Sequence, residues 1–96
     1  MEKKHSKEVD TLFDAILTLE TREECYKLFE DLLTKREVID IAQRLKAAIM
    51  LKNDASYVEV VEATGMSTAT ISRVSKALDK GPGGYDIVIS RLGENK

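Results

Sequence analysis

Thr68, Ala69, Ser72, Arg73 and Lys76 lie in one short stretch and could do chemistry together. At 100° per residue, Ala69, Ser72, Arg73 and Lys76 fall on one helix face with Lys80, and Thr68 stands on the exposed first turn. Small residues permit close approach, hydroxyls bond base edges or phosphates, and long cations reach phosphate oxygens. That combination suits the major groove of duplex DNA. The opposite face carries Ile71, Val74, Ser75 and Leu78, the apolar side that would pack inward. An ordinary helical hairpin with a solvated polar face is the alternative reading of the same residues.

Such a face must be held in place by the elements around it. Residues 56–78, SYVEVVEATGMSTATISRVSKAL, read as two short helices joined by a tight turn. Ser56 can N-cap the first, with Glu59 completing a capping box. In Thr64-Gly65-Met66 the glycine supplies a left-handed backbone conformation for the break. Ser67 caps a second helix predicted over 67–78. Val60, Met66, Ile71, Val74 and Leu78 are spaced to turn apolar surface toward a supporting core. This is the outline of a helix-turn-helix, whose second helix enters the major groove. Tyr57 and Ser67, at the starts of the two helices, complete the candidate DNA-contact set.

The remaining chain also reads as helix, so the expected fold class is all-α, one domain over residues 1–96. After a frayed start at 1–5, Val9, Leu12, Phe13, Ile16 and Leu17 form an amphipathic stripe. Thr21 with Glu24 is a capping box before a second stripe of Cys25, Leu28, Phe29, Leu32 and Leu33. Thr34 with Glu37 opens the longest helix, about 35–52. There Val38, Ile39, Ile41, Ala42, Leu45, Ala47, Ala48, Ile49, Met50 and Leu51 cover more of the circumference than one stripe. A symmetric dimer is the economical way to bury such a helix, and a monomeric bundle around it is the alternative. Asn53-Asp54 forms the turn into the helix-turn-helix, and Gly81-Pro82-Gly83-Gly84 ends its second helix. Residues 85–92 fit helical spacing, with the β-branched run Ile87-Val88-Ile89 making strand the competitor. A short helix is favoured because a lone strand would have no partner. The tail 93–96 is expected to be loose.

Composition narrows the function classes. A chain of 96 residues has a thin core as a monomer, which adds to the case for a homodimer. Cys25 is the only cysteine and His5 the only histidine, so neither a disulfide framework nor a metal set is expected. No nucleophile–base pair is recognisable, and Gly81-Pro82-Gly83-Gly84 lacks the lysine of a phosphate loop. The expectation is therefore no enzyme, no cofactor and no metal. No apolar run spans a bilayer and the polar start is no signal peptide, so a cytoplasmic protein with no membrane partner is expected. Net charge is −2, which argues mildly against a nucleic-acid binder. Binding depends on the local field, however, and the acidic cluster Glu20, Glu23, Glu24, Glu30 and Asp31 is distant in sequence from the reading helix.

Residues 32–78 resemble the Trp repressor superfamily, in particular its YerC/YecD-type Trp-repressor-related branch. Three pieces carry the resemblance: Leu33-Thr34 with Arg44 further on, the first helix anchored at Ser56, and Ala69-Thr70-Ile71-Ser72-Arg73-Val74-Ser75. The resemblance implies an interlocked all-helical homodimer whose two helix-turn-helix heads read successive major grooves of a palindromic operator. It matches Thr68, Ala69 and Ser72 to groove-facing positions, and Arg73 and Lys76 to positions near phosphates. It also implies an effector pocket with Thr34, Arg44 and Arg73 at its polar positions. Val74 stands where the tryptophan-binding protein has glycine, and Ala77 where it has a serine that can bond the ligand's amine. Tryptophan is therefore not expected as the effector, and the sequence leaves open whether any small molecule is sensed. A sequence-specific DNA-binding transcriptional regulator, a repressor by operator occupancy, is the leading expectation. A helix-turn-helix scaffold that binds protein instead of DNA is the alternative.

Overall fold

A computed structural model describes residues 5–94. It contains six helices: α1 (Lys7–Leu17), α2 (Arg22–Leu32), α3 (Lys35–Lys52), α4 (Tyr57–Thr64), α5 (Thr68–Lys80) and α6 (Gly84–Glu94). Among the described residues there is no strand, and the fold is all-α. The chain forms two compact units, one reaching to Val38 and the other beginning at Ile39.

In the first unit, local hydrogen bonds set the helix limits. Ser6 caps α1 by accepting from the Val9 N–H at 3.1 Å. Thr18 closes it, its hydroxyl donating to the Ala15 carbonyl at 2.6 Å. The Thr21 hydroxyl accepts from the Glu24 N–H, but the Glu24 carboxylate accepts from the Glu20 N–H, one residue earlier than a regular capping box. α2 stops at Leu32. Leu33, expected in its stripe, is extended and donates its N–H to the Phe29 carbonyl. The Thr34–Glu37 box opens α3 with both of its hydrogen bonds, at 2.8 and 3.1 Å. The α1 stripe is real in spacing, yet Leu17 is 81% exposed and no residue of α1 or α2 is fully buried.

The second unit holds the buried core. Ala47 and Ala48 of α3, Val60 of α4, and Ile71 and Val74 of α5 form one buried cluster. Met50, Leu51, Ala55, Val61, Met66, Leu78, Tyr85 and Ile89 pack around it. Burying Val60 and Ile71 completely is worth about 1.5–3 kcal/mol each. The predicted turn after α3 is present, with Asp54 at φ 66° and the Ala55 N–H donating to the Met50 carbonyl at 3.0 Å. α3 is only partly covered within one chain: Ala47 and Ala48 are buried, while Ile41 is 51% exposed.

Beyond Leu33, three further limits differ from those that the sequence predicts. α5 runs two residues past the expected Leu78, to Lys80. Gly84, expected in the break, is the first residue of α6, and residues 85–92 are helical. α6 continues through Gly93 and Glu94, which sequence pattern alone assigns to a loose tail. The i→i+4 ladder continues because only the residues up to Gly83 break it, where φ is 97°. His5 lies outside the helices; the rest of the expected frayed start, 1–4, and tail residues 95–96 lie outside the described residues.

The two complete capping boxes favour the ionised form of their carboxyl groups. The backbone N–H and then the hydroxyl of Thr34 hold the Glu37 carboxyl below its ordinary 4.5, and Ser56 does the same for Glu59. A carboxyl lowered in the folded state contributes stability that is present above its unfolded pKa and lost as pH falls through the folded one. Unfolding followed from neutral pH to below that range should show an acid loss that is shallower in the Glu37→Gln/Glu59→Gln double variant. Ser56→Ala should cost about 1 kcal/mol at neutral pH by the same measurement.

Candidate nucleic-acid interface

The helix-turn-helix is built from short-range contacts that fix its turn. Ser56 and Glu59 bond each other's backbone N–H at 3.1 and 2.8 Å, starting α4. At the other end Gly65 sits at φ 72°, ψ 8°, with its N–H on the Val61 carbonyl. The Thr64 hydroxyl donates to the Val60 carbonyl at 2.6 Å and accepts from the Met66 N–H at 3.2 Å, bracing the turn from both sides. Ser67 then caps α5, accepting from the Thr70 N–H at 3.1 Å and sharing a 3.0 Å hydroxyl contact with Thr70. From α3, the Lys46 ammonium reaches the Ala63 carbonyl at 3.5 Å.

This scaffold leaves one face of α5 open. Thr68, Ala69, Arg73, Lys76 and Lys80 are exposed, while Ile71 and Val74 are buried on the other side. Ser72 is half-buried and stands at the flank of that face. The Ser67 hydroxyl is engaged in the cap. Tyr57 opens α4 and is 40% exposed. α5 carries Arg73, Lys76 and Lys80 and a single carboxylate residue, Asp79. Among the described residues no carboxylate lies within ion-pair distance of Arg73 or Lys76. A cation without an ion-pair partner needs no bond broken before it meets a phosphate.

Beside the reading face is a cleft of about 240 Å³ lined by Arg44, Thr70, Arg73, Val74, Ala77 and Tyr85. It brings together four of the five expected pocket residues. Thr34 belongs to the other compact unit, where it caps α3. Val74 is 4% exposed, and its side chain is part of the buried cluster. Thr70 and Tyr85 are absent from the sequence-derived pocket. Thr70 was legible, since Thr70, Arg73, Val74 and Ala77 form an i, i+3, i+4, i+7 stripe. Tyr85 was not, because the Gly-Pro-Gly connector before it gives no direction from sequence. The ion pair of Lys52 with Asp86, at 2.8 Å, joins α3 to the first turn of α6 and was likewise hidden. With both partners about half exposed, it adds little to stability.

The profile of the family described as Trp repressor protein matches residues 7–93. This chain belongs to the Trp repressor family. It is 43% identical over 96 residues to the uncharacterized protein YerC of Bacillus subtilis strain 168, covering all of this chain and 92% of that one. It is 45% identical to a TrpR-like protein from Eubacterium eligens ATCC 27750, whose crystal structure superposes with a TM-score of 0.89 over 92% of this chain and 91% of that one. A candidate Trp repressor from Staphylococcus aureus is similar at 45% identity and TM-score 0.89, over 93% of this chain and 89% of that one. The Trp repressor family is a regulatory, DNA-binding, all-helical family and not an enzymatic one. Among the described residues no helix is long and apolar enough to cross a membrane.

Gly65 gives the turn a specific requirement. A Cβ there would meet nothing within 4 Å, so a substitution is opposed by backbone conformation and not by crowding. Gly65→Ala should therefore cost about 1–2 kcal/mol in urea unfolding, and Gly65→Asn less.

Proposed function

We propose that this protein is a sequence-specific DNA-binding transcriptional regulator, acting as a cytoplasmic homodimer that represses by occupying a palindromic operator. One observation carries the reading: a capped helix beyond a left-handed turn presents small and hydroxyl side chains on an exposed face beside Arg73 and Lys76, which have no ion-pair partner among the described residues. Arg73 and Lys76 hold phosphates, and Thr68, Ala69 and Ser72 sit nearest the base edges, with Tyr57 and Ser67 at the margins of the contact. The net charge of −2 does not oppose this, since binding depends on the local field and α5 carries Arg73, Lys76 and Lys80 with Asp79 as its one carboxylate residue. Free tryptophan is not the effector, because Val74 fills space in the core beside the cleft and Ala77 offers no hydroxyl.

The homodimer is supported by apolar surface that one chain leaves open. Phe13, Leu17, Tyr26, Leu32, Ile41 and Ile87 are all at least half exposed. A small domain gains most from burying such residues against a second copy.

Two measurements test the reading. On a duplex selected from a random pool, Lys76→Ala should weaken binding about equally on all sequences and lower the salt slope by roughly one per subunit for each phosphate that the ammonium neutralises. Thr68→Ala or Ser72→Ala should relax discrimination at one base position per half-site by about 1–3 kcal/mol, with half-sites about 34 Å apart. Unchanged affinity and specificity in Lys76→Ala and Ser72→Ala would remove this face from DNA reading and favour a protein-binding scaffold. Sedimentation equilibrium should give a dimer at micromolar concentration. Ile41→Glu, which buries no charge in a lone chain, should weaken that association by placing carboxylates in the interface.

A further inference from the structure

α5 packs against α4 and α6, and α6 is the support nearer the Arg44–Arg73 cleft. The connector between α5 and α6 is short and conformationally restricted. A Cβ on Gly81 would lie 2.5 Å from the Ala77 carbonyl oxygen, Pro82 fixes its own φ, and Gly83 is at φ 97°. Such a link returns the chain to α5 at once. Tyr85 is the large side chain it delivers there. The Tyr85 ring packs against the buried cluster and lines the cleft together with Val74 and Ala77. Its neighbour Asp86 is ion-paired with Lys52 of α3, so the first turn of α6 is tied to α3 as well.

An aromatic ring gives a large buried area for two rotatable bonds, and tethering makes its binding intramolecular. A ligand, in turn, shifts a conformational equilibrium only through differential affinity for the two states. Resting on the reading of α5 as a DNA-reading helix, we propose that Tyr85 is a positioning residue in the wall of this cleft, whose ring, packed on the buried cluster, fixes α5 for DNA binding without any aromatic effector.

The test compares wild type with Tyr85→Phe, Tyr85→Leu and Tyr85→Ala. Binding is measured on the best selected duplex, and hydrogen exchange of the α5 amides is followed without DNA. p-Cresol, the tyrosine side chain as a free molecule, and tryptophan serve as added probes. Wild type and Tyr85→Phe should bind equally and respond to neither probe. Tyr85→Ala should bind about tenfold more weakly, as expected if about a tenth of the molecules hold the competent geometry. Its α5 amides should exchange faster, and p-cresol should restore both properties. Should Tyr85→Ala fail to unfold cooperatively, Tyr85→Leu takes its place, with weaker binding and faster exchange than Tyr85→Phe. The proposal is overturned if the variant used matches wild type in both readouts, if p-cresol restores neither in a folded Tyr85→Ala, or if wild type binds the duplex only with tryptophan added. If wild type binds no duplex, the DNA reading fails by itself, and the exchange data with and without p-cresol still decide whether the Tyr85 ring positions α5.

Discussion

The packing of Val60, Ile71 and Val74 against Ala47 and Ala48 is the contact on which the candidate interface depends. Two of these five residues are alanines, so the cluster is small and has little redundancy. Each α5 residue in it serves two purposes. Ile71 and Val74 anchor the helix, and by doing so they fix the rotation that leaves Ala69, Arg73 and Lys76 outward. A helix held by two buried side chains needs further constraints to keep its angle. Those come from the Gly65 turn and Ser67 cap at one end, and from Tyr85 beyond the other.

Electrostatics is arranged by location and not by total. The chain as a whole is slightly acidic, but α5 carries three cations and a single carboxylate residue, while Glu37 and Glu59 are engaged in capping boxes. At helix starts, negative side chains complement the dipole and bond free N–H groups, so they stabilise where they stand. The cations of α5 have no such local duty. Arg73 is both exposed on the outward face of α5 and part of the cleft with Arg44, so one guanidinium borders the two surfaces at once.

The N-terminal unit has a different character. Its helices are well capped and correctly striped, yet their apolar faces remain exposed in a single chain. Local sequence can specify a helix through caps and propensity without specifying what covers it. Membership of the Trp repressor family, with solved relatives superposing at a TM-score of 0.89, makes the helix order and fold secure.

The sequence by itself determined the helices, the capping residues Ser56, Ser67 and Thr34, the Gly65 turn and the outward cations. Each follows from interactions within one or two turns, where residue type and spacing are the whole cause. It misjudged ends where the local signal was weak: Leu33 left its helix, and Gly84, Gly93 and Glu94 joined one. Only the tertiary structure decided that Tyr85 lines the Arg44–Arg73 cleft, that Lys52 meets Asp86, and that Ser72 is a flank residue. These depend on the direction taken by α6 after Gly81-Pro82-Gly83 and on how deeply Ile71 and Val74 sink into the cluster. Both are set by packing between segments far apart in the chain, which no local spacing encodes.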